Sequence, residues 1–306
     1  MLELHGLTRT FGDNVAVDHV TFDVPAGRLV GFVGGNGAGK TTTMRMIMGV
    51  LAPDSGEVLW DGAPATRELR SRFGYMPEER GLYPKQPVLD QLVYLGQLHG
   101  MTRQAARARA TELLERFGLG ARTKDKVETL SLGNQQRAQI IAAVLGDPVA
   151  LILDEPFSGL DPAAVDQMSE LLREHTAAGA PVLFSSHQLD LVDRLCDAIV
   201  VLHRGRVVAR GTSEELRANA PLRYRVRLEH DAGWIRDLAG IEVVDLEGPT
   251  ALVEPADEEA AQHLLREAVA RDTVRDFARV VPTLSEIYRE VAAGAPAATP
   301  GRWPPS

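Results

Sequence analysis

Apolar residues along this 306-residue chain follow two rhythms. Three short runs, 29–33, 149–153 and 182–184, are apolar without alternation, the pattern of strands covered on both faces as in a parallel sheet. Elsewhere apolar residues recur three and four apart. The segments 88–100 and 104–120 read as amphipathic helices, the second closing at Gly118 with Leu113, Leu114 and Phe117 on one face. A third helix, within 130–148, carries Ile140, Ile141, Val144 and Leu145 on one side and is closed by Gly146 and Pro148. Together these predict a helical subdomain over about 87–146. Residues 2–23 read as two or three short strands around the turn Gly12-Asp13-Asn14. Residues 199–202 and 207–210 read as a hairpin, and Thr212-Ser213-Glu214-Glu215 as a capping box for a short helix.

Ala220-Pro221 marks a boundary. Beyond it the order is strand, helix, strand, strand, helix, strand and a last helix, which predicts a βαββαβ ferredoxin-like unit with one extra helix. The expected organisation is a large domain over 1–218, a small α+β domain over 222–292, and a Pro/Ala/Gly-rich tail over 293–306 expected to be disordered.

Composition narrows the partners. Hydrophobic residues make up 44% and charged residues 25%, ordinary for a soluble globular protein. Against 33 Lys and Arg stand 42 Asp and Glu, a formal net charge of −9, which gives no reason to expect nucleic acid as a partner. An anionic ligand then has to be held by local geometry. The single cysteine, Cys196, excludes an internal disulfide and a zinc knuckle; among Leu191, Val192, Leu195 and Ile199 it reads as a buried structural thiol. The first residues carry charges and lack the apolar run of a signal peptide. No run approaches the roughly 18 apolar residues needed to cross a bilayer, so direct membrane insertion is not expected.

The local geometry is supplied at 29–43. The apolar strand enters Gly34-Gly35-Asn36-Gly37-Ala38-Gly39, and Lys40, Thr41 and Thr42 open a helix. This is the phosphate-binding pattern G-x-x-x-x-G-K-[ST] in the strand-to-helix setting it requires. Glycines let main-chain N–H groups converge on an anion, and the helix start adds free donors and the positive end of its dipole. Lys40 supplies a compact charge for the β- and γ-phosphates, and the Thr41 hydroxyl can ligate Mg²⁺. At the end of the second apolar run stand Asp154 and Glu155, where open α/β sheets place ligands. His187 sits just past the third run, on the same predicted sheet edge. Ser131 and Gly133 precede the third helix and present a second helix start. Asp161 can cap the helix that Pro162 opens. Phe11 is either a core aromatic or a flat face for a base.

In this order, the loop, LSLGNQQ, LILDEP, SGLD and the strand-end histidine resemble the nucleotide-binding subunit of ATP-binding cassette (ABC) transporters, over residues 2 to about 216. The GNQQ form, the EERGLY stretch and the extra C-terminal domain look most like a bacterial exporter subgroup that includes sodium-efflux and drug-resistance subunits. The resemblance implies an α/β P-loop NTPase fold of ABC type with an antiparallel β subdomain and a helical subdomain. It implies a head-to-tail dimer, with a second copy or a homologous subunit, sandwiching two ATP molecules. Each ATP would lie on Gly34–Thr42 of one subunit and meet Ser131, Gly133 and Asn134 of the other. Asp154 would hold Mg²⁺ through water and Glu155 would polarise the attacking water. His187 would contact the γ-phosphate, Asp161 would link the two sites, and Phe11 would stack on adenine. Glu78 would lie in the loop that senses nucleotide and touches the membrane partner, and its carboxylate can also ligate Mg²⁺.

Four positions depart from the family pattern. Gly35 stands for a proline, Glu78 for a glutamine, Leu132 for a glycine and Asn134 for a glutamine. The expected activity is ATP hydrolysis driving integral membrane permease subunits, with the chain peripheral on the inner face of the membrane. The competing reading is a soluble cassette ATPase acting on ribosomes or DNA. It is disfavoured by the single cassette and by the lack of a basic stripe.

Overall fold

A computed structural model describes residues 1–79 and 81–292. The expected disordered tail, 293–306, and Arg80 of the polar stretch lie outside the described residues. The chain divides into two compact units, one built on Met1–Ser213 and the other on Glu214–Arg289.

In the first unit, β1 (Leu2–Phe11) and β2 (Asn14–Val24) form one long antiparallel pair. The sequence left two or three short strands open; the structure shows two long ones, whose register shifts along β1 beginning between Leu4 and Leu7, beside Gly6 at φ 60°. That is a bulge within a strand, not a strand end. Next come β3 (Leu29–Val33), buried at all five positions, and α1 (Lys40–Ile47). The strands β4 (Ser55–Trp60) and β5 (Ala63–Pro64) complete a four-stranded sheet ordered β2-β1-β4-β5. A single turn, α2 (Arg67–Arg70), precedes β6 (Phe73–Met76). Three helices follow: α3 (Val88–Leu98), α4 (Arg103–Arg116) and α5 (Leu132–Val144). Both α3 and α4 pack on α5, which also lies against β6. The residues Leu113, Leu114, Phe117, Ile140, Ile141, Val144 and Leu145 are all buried.

The chain continues through β7 (Ala150–Leu153), α6 (Pro162–Ala177), β8 (Val182–Ser186) and α7 (Leu189–Leu195). The hairpin β9 (Ala198–His203) and β10 (Arg206–Gly211) then completes a six-stranded sheet ordered β10-β9-β3-β8-β7-β6. All its neighbours run parallel except the β9–β10 pair. The two sheets share one core, in which the Phe22 ring on β2 meets Phe32 on β3 at 5.2 Å between centroids. Cys196 as a residue is half-buried, but its thiol is packed inward against Gly31 of β3 and is desolvated there.

The second unit opens within the short helix α8 (Ser213–Ala218). It contains β11 (Arg223–Leu228), β12 (Ile241–Glu247), β13 (Thr250–Pro255), α9 (Glu258–Arg271), β14 (Val274–Val280) and all but the last residues of α10 (Leu284–Ala292). The strand order is β12-β13-β11-β14, antiparallel throughout. Because β13 lies between β11 and β12, the βαβ unit is split, the ferredoxin-like arrangement. The first of its helices is reduced to a 3₁₀ turn, Gly233–Asp237. Five residues carry too few backbone bonds to offset the cost of nucleating an α-helix.

Candidate nucleotide-binding cleft

The carboxyl ends of β3, β6, β7 and β8 converge on one edge of the six-stranded sheet, and the candidate residues hang from them. After β3 the glycine loop reaches α1 through Gly39, whose φ of 104° only glycine adopts without strain. A Cβ there would also strike the carbonyl oxygen of Ala16. Lys40 is buried and folds back over the loop, its Nζ donating to Gly34 O at 2.7 Å and Gly35 O at 3.3 Å. The Thr41 hydroxyl donates to Glu78 Oε2 at 3.2 Å, which ties the helix start to the loop after β6.

The acidic pair at the end of β7 is held by neighbours from other elements. Asp154 is 1% exposed. Its Oδ1 accepts from the Ser185 hydroxyl of β8 at 2.5 Å, while its Oδ2 is buried with no hydrogen-bond donor. Glu155 has φ 51°, a left-handed conformation that costs a non-glycine residue about 1–3 kcal/mol and persists where its surroundings over-determine it. Those surroundings are explicit. The Glu155 N–H donates to Ser185 Oγ at 2.9 Å, and its carbonyl accepts from Gln136 Nε2 at 2.9 Å. Its Oε2 lies 2.9 Å from His187 Nδ1. One buried hydroxyl thus fixes both acidic residues, and the histidine orients the exposed end of the second.

These groups line a single cleft of about 680 Å³. Phe11, Asn36, Gly37, Ala38, Gly39, Lys40, Thr41 and Thr42 form one side. Glu78, Asp154, Glu155 and His187 also line it, so the catalytic candidates Glu155, His187 and Lys40 share one space with the metal candidates Thr41, Glu78 and Asp154. Phe11 is 47% exposed with the Arg9 guanidinium 5.0 Å from its ring centroid, so it is not a core aromatic. Gly34 and Gly35 form the base of the loop without lining the cleft. Ser131, Gly133, Asn134 and Asp161 lie outside its lining as well. Ser131 caps α5 by accepting from Asn134 N at 3.4 Å. Asp161 caps α6 through Ala164 N at 2.8 Å and pairs with Arg137 at 2.9 Å. The sequence reading missed Ser185 and Gln136. The signal for Ser185 was a polar residue closing an otherwise apolar strand two positions before His187; nothing local marked Gln136.

A family model described as ABC transporter matches residues 17–158, and one described as the C-terminal domain of ATP-binding protein DrrA1-3-like matches residues 211–292. The ABC transporter ATP-binding protein YhaQ of Bacillus subtilis (strain 168) is 39% identical over 291 residues, which cover 95% of this chain and 98% of that protein. The chain belongs to the ABC transporter ATP-binding proteins. Linearmycin resistance ATP-binding protein LnrL of the same organism is 35% identical over 219 residues, covering 71% of this chain and 70% of that protein. A solved ATP-binding subunit of an ABC transporter is 34% identical with a TM-score of 0.66, covering 71% of this chain and 92% of that one. Membership makes this ABC protein an ATP-binding ATPase. Among the described residues, no helix is long and apolar enough to cross a membrane.

Proposed function

We propose that this ABC protein powers a membrane exporter, closing on ATP as one of two cassette subunits and driving integral membrane permease subunits from the inner face of the membrane. Export is supported by the LnrL relative, named for linearmycin resistance. In this reading the triphosphate lies on Gly34–Thr42 with Lys40 against the β- and γ-phosphates, and adenine stacks on Phe11. The exposed start of α5, with Ser131, Gly133 and Asn134, meets the nucleotide of the twin subunit. Asp161, beside it, joins the two sites.

The donors present suit Mg²⁺: Thr41 Oγ1, the Glu78 carboxylate and Asp154, all hard oxygen ligands. The orphaned Asp154 Oδ2 is the observation that fits an ion or its water. When bound, Mg²⁺ neutralises charge on the β- and γ-oxygens. Glu155 accepts a hydrogen bond from the attacking water and orients it in line with the γ-phosphorus. His187 holds the Glu155 carboxylate and reaches the γ-phosphate. Catalysis in this scheme is positioning and electrostatic stabilisation, with no covalent intermediate on the protein.

The carrying observation is the Glu155–His187 pair at 2.9 Å in the same cleft as Lys40 and Asp154. The test is Glu155→Gln. It should retain ATP, lose turnover and run as a dimer on size exclusion when ATP and Mg²⁺ are present. A strictly monomeric variant with bound ATP would overturn the sandwich. Affinity purification from membranes identifies the permease, and recovery with ribosomes instead would overturn the exporter reading.

A further inference from the structure

We infer that Gln136 is a positioning residue for hydrolysis, tying the leading turns of α5 to the backbone of Glu155 and so keeping that carboxylate aimed into the cleft. The inference rests on the reading of Glu155 as the group that orients the attacking water.

The first turns of α5 and the segment after β7 meet at several points, three of them polar or backbone contacts. Gln136 Nε2 donates to Glu155 O at 2.9 Å, and Arg137 Nη2 donates to Asp161 Oδ2 at 2.9 Å. Between them the backbones approach so closely that a Cβ on Gly133 would stand 3.0 Å from Gly159 O. Of the three contacts only Gln136 reaches Glu155. That residue is held at φ 51°, a conformation a glutamate keeps only while its flanking peptides are gripped. Ser185 grips the N–H and Gln136 grips the carbonyl. Release of the carbonyl lets the backbone relax toward ordinary angles and swings the carboxylate away from His187. The Gln136 side chain also lines the cleft.

The consequence is directional. The tip of α5 is capped by Ser131, the residue assigned to the twin's nucleotide. A shift of that helix on engagement passes through one amide to Glu155 of the same chain. Each subunit's hydrolysis then registers whether its own helix tip is seated on the other site.

The test compares Gln136→Met, which keeps the length and removes the donor, with Gln136→Lys, which restores a donor. Full-length protein is assayed for MgATP hydrolysis, for thermal unfolding, and for ATP-driven dimerisation in the Glu155→Gln background. Gln136→Met should lose about tenfold in kcat, equivalent to about 1.4 kcal/mol, with KM within about twofold of wild type. Gln136→Lys should regain most of that loss. The Gln136→Met, Glu155→Gln double variant should still dimerise with ATP. Wild-type kcat in Gln136→Met overturns the inference. So does a loss that appears in KM, in dimerisation or in folding, or one that Lys does not relieve. A wild-type protein that hydrolyses no ATP overturns the reading of Glu155 beneath it, a separate result.

Discussion

Single residues in the cleft act through one another. Ser185 is fully buried, accepts the Glu155 N–H and donates to Asp154 Oδ1. Ser185→Ala leaves both partners unsatisfied inside the protein, at a cost of about 1–3 kcal/mol. We expect a urea titration to show a loss of that size, and turnover to fall with it. Lys40→Ala removes the ammonium at the glycine loop, and phosphate release should drop to background. Cys196 has the opposite character. Burial pushes its thiol well above the usual range, and Asp197 and Asp193 add to the shift. Because the thiolate is the reactive form, maleimide should leave Cys196 unlabelled in the folded protein near about pH 7 and label it after denaturation. The motif residues were legible from sequence because their spacing is local. The Ser185–Asp154 bond spans 31 positions and two strands, so it became visible only with the strand order.

Elements were legible in proportion to their length and burial. The strands β3, β7 and β8 announce themselves because every residue is buried and their apolar runs are unbroken, with only Ser185 and Ser186 closing β8. By contrast β5 has two residues and α2 four, too few to show a period, and the seven residues of α7 went unread for the same reason. Yet α7 sets a tight constraint. A Cβ at Gly31 of β3 would stand 2.8 Å from Cys196 Sγ and collide with Val192 of α7. Gly31→Ala should therefore overpack this interface and cost about 1–3 kcal/mol, seen as a lowered melting temperature. The glycine in that strand is a packing requirement, a role its sequence context did not reveal.

For the whole molecule, the split strand order of the second unit followed from the alternation of its elements, whereas the order of the six-stranded sheet did not. Parallel strands separated by crossovers can be arranged in several ways, and the apolar runs carry no address. The second unit has its own core, in which Val226, Val253, Ala261 and Leu264 are fully buried. Leu264→Ala should destabilise that unit by about 2–5 kcal/mol, measurable as faster amide exchange along β11 and β13. In the first unit, chelation of divalent cations by EDTA should abolish hydrolysis, with magnesium restoring it. That outcome follows from a donor set of carboxylate and hydroxyl oxygens.

The aromatic ring at the end of β1 and the glycine loop at the end of β3 belong to different sheets, but the Phe22–Phe32 contact casts both into one block. The cleft is therefore a gauge of fixed span. If the nucleotide lies as proposed, tripolyphosphate would meet only the loop and adenosine only the ring, and calorimetry should find each far weaker than ATP, whose linker turns the second grip into an intramolecular event.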